Sequence, residues 1–332
     1  MVRTDAFYYV ERMATILHLM RRLIGLAALL GSLVSAGGAV AAQGGRWFDK
    51  VDALTHFAPI WLLGGVGALV LWLVGGRRGW ATPIFVALAV LSSGALMAPE
   101  LIAAARAERA APNEETLKII QFNAYRANYD VERSVAWILN QDADIVVLEE
   151  VGCCAGSEVA RRIAAKYPFH TRCPGHDCGT AIRSRQAPLR KPYVKLEPGS
   201  GTIAWTWFQG VKGPYTVVGV HYTWPSPLSE QWLNRRIMAR NIQRFDKDSL
   251  IVAGDFNSTP WSFALRRQDR DFGIERRTRA LFSWPTKKRG VRLPPFLPLD
   301  HLYAGKDWRT VSVERGPALG SDHYPVVITL TR

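Results

Sequence analysis

The stretch IVAGDFNSTPWS, Ile251 to Ser262, decides how the rest of the chain is read. Ile251, Val252 and Ala253 end a buried strand, and a carboxylate and a carboxamide follow at once at Asp255 and Asn257. Residues two apart on a strand point to the same side, so both side chains can face one point. Asp, Asn, Ser and Pro are also turn residues, and the stretch alone fits a turn equally well. The choice depends on what the other strands end with.

From residue 117 onward the pattern repeats. Strands are expected at Leu117–Asn123, Asp144–Glu150, Gly179–Ile182, Thr202–Phe208, Tyr215–His221, Leu250–Asn257, Leu299–Tyr303, Val311–Val313 and Ser321–Leu330. Helical spacing marks Asp130–Asn140, Ser157–Tyr167 and Pro227–Phe245. The strand ends carry Asn123, Glu150, His221, Asp255 with Asn257, Asp300 with His301, and Asp322 with His323. Six independent turns are a poor explanation for six tips that each hold a metal-binding or proton-moving group. Sites are commonly assembled on loops along one sheet edge.

The first 111 residues are different in kind. Leu23–Ala42, Leu54–Val74 and Ala81–Ala98 are free of charge, and each approaches the ~20 residues that span a ~30 Å hydrocarbon core. The chain is therefore divided into a membrane anchor with three transmembrane helices (1–111), a linker (112–116) and a soluble domain (117–332). A cleaved signal remains an option for the first stretch alone. Arg12, Arg21 and Arg22 precede the first stretch, and Arg77 and Arg78 separate the second from the third. The positive-inside rule puts those segments in the cytoplasm and the soluble domain on the far side of a cell (inner) membrane, in the periplasm.

Lys and Arg total 42 against 28 Asp and Glu, a formal net charge of +14. That surplus suits an anionic substrate or an anionic membrane surface, and does not choose between them. Cys153, Cys154, Cys173 and Cys178 all lie in the soluble domain. In an oxidising compartment the two cross-pairings are favoured over a vicinal bond; a zinc cluster with His176 and Asp177, or four unpaired thiols, are the alternatives. Of the tryptophans, Trp224 and Trp261 are expected at the rim of the site, and most of the others in the core. The run Thr286 to Arg292 is read as a solvated basic loop.

The motifs Phe122-Asn123, Val147 to Val151, Gly219 to His221, Gly254 to Trp261, Leu299 to His301 and Gly320 to Pro325 occur in the order found in a known family. The chain resembles the endonuclease/exonuclease/phosphatase superfamily, with the deoxyribonuclease-I-like fold, over Leu117 to Arg332. It departs from the family at Glu149, where Gln is more frequent, and at Gly219, where some members carry Asn. The resemblance implies an α/β fold, a four-layer α-β-β-α sandwich of two packed mixed β-sheets. It also implies a phosphoesterase dependent on Mg²⁺ or Mn²⁺. Glu150 is then the primary metal ligand, with Asn123 supporting and Asp322 a further ligand. His323 is the candidate base, oriented by Asp300. Asp255 positions the attacking water, and Asn257 and His221 bind phosphate oxygens. His301 is left out of the catalytic set.

The expected substrate is a phosphate ester: a nucleic acid, a phospholipid (as for a sphingomyelinase-type lipid phosphodiesterase) or a small ester. The lipid bilayer is the expected partner of the N-terminal helices, and no protein partner is expected. The competing class is a binding module that keeps the fold without catalysis.

Overall fold

The computed structural model describes all residues except Met1, Arg78, Glu114, 172–178, 197–201, Ser226, Pro227 and Arg289. It divides into two compact units, Met1–Pro99 with Trp261–Phe263, and Glu100–Pro260 with Ala264–Arg332.

The first unit is helical: α1 (Val2–Gln43), the short α2 (Asp49–Asp52), α3 (Ala58–Val74), and α4 (Ala81–Ala105), whose last residues belong to the second unit. Three helices are long and apolar enough to cross a membrane. Leu23, Leu26, Leu30, Leu63 and Leu91 are each more than half exposed, as lipid-facing side chains would be. Where helices meet, small residues let the backbones close: Gly38 lies against the Trp61 ring, Gly64 against Ser35 and Gly65 against Ala89. The apolar stretch Leu23–Ala42 is only the second half of α1. The polar first half, with Glu11, Arg12, Arg21 and Arg22, continues the same helix because Leu, Met, Arg and Glu are all good helix formers. With 42 residues, α1 is about 63 Å long, twice a ~30 Å hydrocarbon core.

The second unit contains two six-stranded sheets. In chain order the strands are β1 (Thr116–Asn123), β2 (Ile145–Glu149), β3 (Phe169–His170), β4 (Thr180–Ser184), β5 (Tyr193–Leu196), β6 (Thr202–Gly210) and β7 (Gly213–His221). They continue with β8 (Leu250–Asp255), β9 (Glu275–Arg276), β10 (Lys287–Lys288), β11 (Val291–Arg292), β12 (Asp300–Ala304), β13 (Arg309–Arg315) and β14 (Val326–Thr331). The first sheet has the order β13-β14-β1-β2-β4-β3 and the second β5-β6-β7-β8-β12-β9; β10 and β11 form a separate hairpin. Both sheets are mixed. β1 runs parallel to β2 and antiparallel to β14, and β7 runs parallel to β8, which is antiparallel to β12.

Alternation along the strands builds the layers. Ile119 and Val147 of the first sheet meet Val217, Ile251, Ala253 and Leu302 of the second in the central core. Ile120, Val146 and Leu148 face outward onto Val135 and Ile138 of α5 (Val131–Asn140) and Val159 of α6 (Cys154–Arg162). Val218, Val220 and Val252 face outward onto Ile237 and Met238 of α7 (Leu228–Ile242) and Leu265 of α8 (Phe263–Phe272). The result is the four-layer α-β-β-α sandwich. Burying each such aliphatic side chain contributes ~1.5–3 kcal/mol. Asp130 caps α5 by accepting from the Arg133 N–H, which fixes where that helix starts.

Two glycines set the spacing near the site. A Cβ on Gly254 would fall on the Val220 carbonyl of the neighbouring strand. A Cβ on Gly219 would press on Val147 and Thr180 of the facing sheet at 3.0 and 3.1 Å, so a larger residue there would make both side chains give by a few tenths of an ångström. Helix α6 begins at Cys154, ahead of the expected Ser157. The helix α8 and the strands β3, β5 and β9 have no counterpart in the expected elements. Trp261 is a correction: expected at the rim, it is fully buried and belongs with the first unit. Trp224 is half exposed and lines a pocket together with Glu150, His221 and Asp255. The basic run forms the β10–β11 hairpin.

Candidate active site

The strand register brings the tips together. Asp255 ends β8 with His221 beside it on β7 and Asp300 beside it on β12. In the first sheet Asn123 at the end of β1 pairs with Glu149 at the end of β2, and Glu150 is the next residue. Ser321-Asp322-His323 precede β14, and the Ser321 hydroxyl donates to the Asn123 carbonyl at 2.7 Å. Six of the eight predicted residues (Glu150, His221, Asp255, Asn257, Asp322 and His323) line one pocket of about 580 Å³. Asn123 and Asp300, each 1% exposed, lie behind it. A separate cavity of about 220 Å³ beside Glu115, Asp144 and Trp308 contains none of them.

The backbone leaves the strands sharply at this edge. Tyr125, Glu150 and Asn257 have φ of 58°, 57° and 45°, a left-handed conformation that side chains other than Asn and Gly rarely adopt. Strain of this kind costs of order 1–3 kcal/mol per residue and collects at functional sites. The Arg126 N–H holds Glu150 by donating to its Oε2 at 3.1 Å. Gly156 of α6 backs the Glu150 carbonyl so closely that no Cβ fits.

A row of charges runs through the pocket floor. His323 Nδ1 lies 2.8 Å from Asp300 Oδ2, and His323 Nε2 lies 3.5 Å from Asp255 Oδ2. Burial alone would lower the His323 pKa, but Asp300 and Asp255 outweigh it and hold the imidazole well above its ordinary range. Burial also opposes ionisation of Asp300, yet the imidazolium keeps it below the usual carboxylate range. Burial pushes Asp255 upward, with Asp300 adding to the effect and His323 opposing it. Those shifts favour the proton on His323, with the Asp255 carboxylate 3.5 Å from its Nε2.

Amide and backbone donors surround Asp255. The Asn257 N–H reaches Oδ1 at 2.8 Å, Asn123 Nδ2 reaches Oδ2 at 3.1 Å, and His221 Nε2 lies 3.7 Å away. Asn123 Nδ2 also faces Glu150 Oε1 at 3.1 Å, while its own oxygen accepts from the Tyr125 N–H. In this arrangement Asn123 bridges the two carboxylates with its nitrogen. His301 lies outside the pocket, buried between Ser258 and Thr278, and burial lowers its pKa to about 4.

Two buried oxygens at this edge, Asn257 Oδ1 and Asp322 Oδ1, have no hydrogen-bond partner among the described residues. Both residues line the same pocket as Glu150, and oxygens of these kinds are the donors a hard divalent cation takes. Asp255, Asp300 and His323 also offer atoms within 4.8 Å of one another, but their mutual hydrogen bonding occupies the imidazole.

The sequence reading missed Tyr125, Arg126 and Cys153, which line the pocket, and Trp284, whose Nε1 donates to Asp322 Oδ2 at 3.2 Å. Cys153 and Cys154 are both exposed with Sγ atoms 2.8 Å apart. Their expected partners Cys173 and Cys178 lie outside the described residues, as do His176 and Asp177.

Residues 120–323 match the model of the Endonuclease/Exonuclease/phosphatase family. The chain belongs to that family. Its members are metal-dependent phosphoesterases. Among solved structures, an endonuclease/exonuclease/phosphatase from Beutenbergia cavernae is 18% identical with a TM-score of 0.52, covering 66% of this chain and 72% of its own. A sphingomyelinase C from Streptomyces griseocarneus is 18% identical with a TM-score of 0.50, covering 65% and 99%. D. rerio TDP2, complexed with a single-strand DNA product, is 16% identical with a TM-score of 0.52, covering 65% and 99%. At these identities the likeness supports the family's fold. A comparison with curated proteins finds no match.

Proposed function

We propose that this chain is a membrane-anchored, divalent-metal-dependent phosphodiesterase that hydrolyses a phosphate ester by attack of an activated water. The observation that carries the reading is the Asp255–His323–Asp300 row, buried at a pocket edge that also holds Glu150 and two unpartnered oxygens. Glu150 and Asp322 would hold the cation, with Asn123 supporting. A bound Mg²⁺ or Mn²⁺ would supply charge neutralisation on the phosphate oxygens.

The chain's own groups do the rest. Asp255 orients the water and takes its proton into the pair it forms with His323. Asp300 holds the imidazole by Nδ1 and stabilises its cationic form. His221 binds phosphate oxygens and steadies the charge that grows there. Asn257, expected to do the same, donates from Nδ2 to the Tyr222 carbonyl at 2.8 Å and from its backbone N–H to Asp255, and so holds the floor of the site instead.

The compartment belongs to the same reading. Arginines flanking the first and third helices favour a cytoplasmic N-terminus and a periplasmic catalytic domain from about residue 117. The fold does not choose the substrate. One relative is a sphingomyelinase C and another holds a DNA strand, so lipid diesters and nucleic acids both belong in the screen.

The test is hydrolysis by the full chain in detergent of an aryl phosphodiester, plasmid DNA and lipid phosphodiesters, with and without Mg²⁺ or Mn²⁺. Metal-dependent turnover lost in Asp255→Asn supports the reading. No turnover of any phosphate ester with either metal would leave the non-catalytic binding module as the better account.

A further inference from the structure

Gln121 belongs to none of the motifs above, yet it lies one layer beneath them. It is two residues before Asn123 on β1, 2% exposed, with its side chain between the sheets. Its amide nitrogen donates twice, to Asp300 Oδ1 at 2.8 Å and to Glu149 Oε2 at 2.9 Å. Asp300 belongs to the second sheet and Glu149 to the first, so one amide ties the two sheets together below the pocket floor.

The geometry matters because of what Asp300 does with its other oxygen. Oδ2 accepts from His323 Nδ1, and an Asp carboxylate held at one oxygen still has a broad torsion about its last bond. A second hydrogen bond at Oδ1 fixes the carboxylate plane, and with it the imidazole. An amide supplies the two N–H groups needed to serve two carboxyl groups at once. Gln121 Oε1 accepts nothing among the described residues. The polar side chain is therefore held by what it donates to Asp300 and Glu149. A glutamine kept only to satisfy the core would have its acceptor used as well.

We propose that Gln121 is a positioning residue for hydrolysis, setting the plane of Asp300 and through it the orientation of His323, with Glu149 as the second anchor of its amide. The inference rests on the phosphodiesterase reading above. It also gives a role to Glu149, whose carboxyl accepts from Gln121 at 2.9 Å.

Gln121→Met in the full chain keeps the length of the side chain and removes both N–H groups. In metal-dependent hydrolysis of bis(4-nitrophenyl) phosphate, kcat should fall roughly 10–100-fold with KM within about twofold, as for other supporting groups behind a catalytic residue. In an Asp300→Ala background the same substitution should cost less than about threefold, because the group it orients is gone. Equal losses in both backgrounds would show a packing effect and overturn the proposal. If the Met variant fails to fold, Gln121→Leu, which is also uncharged and without donors, takes its place with the same expectation.

Should the wild type hydrolyse nothing, the functional reading falls but the positioning can still be read. The downfield imidazole Nδ1–H resonance of His323, identified by its loss in His323→Gln, should shift or broaden in Gln121→Met. An unchanged resonance would overturn the proposal.

Discussion

Asp255 and Asp300 stand directly opposite one another in the β8–β12 ladder, and the His323 imidazole lies between their carboxylates at 3.5 and 2.8 Å. Neighbouring antiparallel strands thus deliver two acids to one base, and the loop before β14 delivers the base. The imidazole turns one ring nitrogen toward each carboxylate, so each of the three groups should matter to the reaction.

His323→Ala should lower kcat by roughly 10²–10⁴, the usual worth of an aligned acid–base group. Far-ultraviolet circular dichroism should be unchanged, since either facing carboxyl group can take up a proton in its place. Activity equal to wild type would assign the proton to another residue.

Glu150→Gln should raise the metal concentration needed for half-maximal hydrolysis by at least about tenfold, because Mg²⁺ is typically held by only one or two carboxylates. Chelation should abolish wild-type turnover, and added Mg²⁺ or Mn²⁺ should restore it. A metal titration of the variant that overlays the wild type would remove Glu150 from the ligand set.

His301 gives a stability prediction. Burial lowers its pKa from 6.5 unfolded to about 4 folded. The unfolded chain therefore takes up a proton below about pH 6.5 that the folded domain refuses until about pH 4. Stability should fall with pH across that window by up to ~3 kcal/mol, at 1.36 kcal/mol per pKa unit. Melting curves of wild type and His301→Gln at pH 7.5 and 5 should show a smaller acid-induced drop in the variant.

Gly254→Ala should destabilise the catalytic domain by ~2–4 kcal/mol, because the new Cβ must push the Val220 carbonyl away and part β7 from β8. Urea unfolding measures the cost. It should be accompanied by lost activity, since His221 and Asp255 are paired across the same two strands.

A periplasmic domain should contain oxidised cysteines. One of Cys153 or Cys154 joined to Cys173 or Cys178 would close a loop of about twenty residues and add ~2–4 kcal/mol. Mass spectrometry after alkylation, before and after reduction, reads this out. Four freely alkylated thiols in material taken directly from membranes would count against both the bond and the compartment.

Much of the fold was legible because the signals were local. Alternating apolar strands that end on Asn, Glu, His or Asp announce both the sheets and the edge where they gather, and Asp255 with Asn257 showed this most plainly. What stayed hidden depended on contacts far apart in sequence. Gln121 reads as an ordinary strand residue until Asp300, 179 positions later, is seen at its amide. Its place on the same strand side as Asn123 was the one available hint. Trp261 looked like a rim residue because it follows a motif, and proximity in sequence misled. The strands β3 and β9, two residues each, are too short to carry a periodicity.

The pairing of β1 with β14 bears on how the protein is made. Thr116 sits opposite Thr331, so the first strand of the catalytic domain finds one of its two neighbours only when the last strand has been synthesised. A ribosome releases β1 long before β14 exists. Until then β1 keeps one edge open, in a segment rich in Ile and Phe that invites wrong pairing. Completion of the first sheet therefore waits for β14. A chain cut short anywhere before Val326 would leave that edge exposed to wrong pairing and proteolysis.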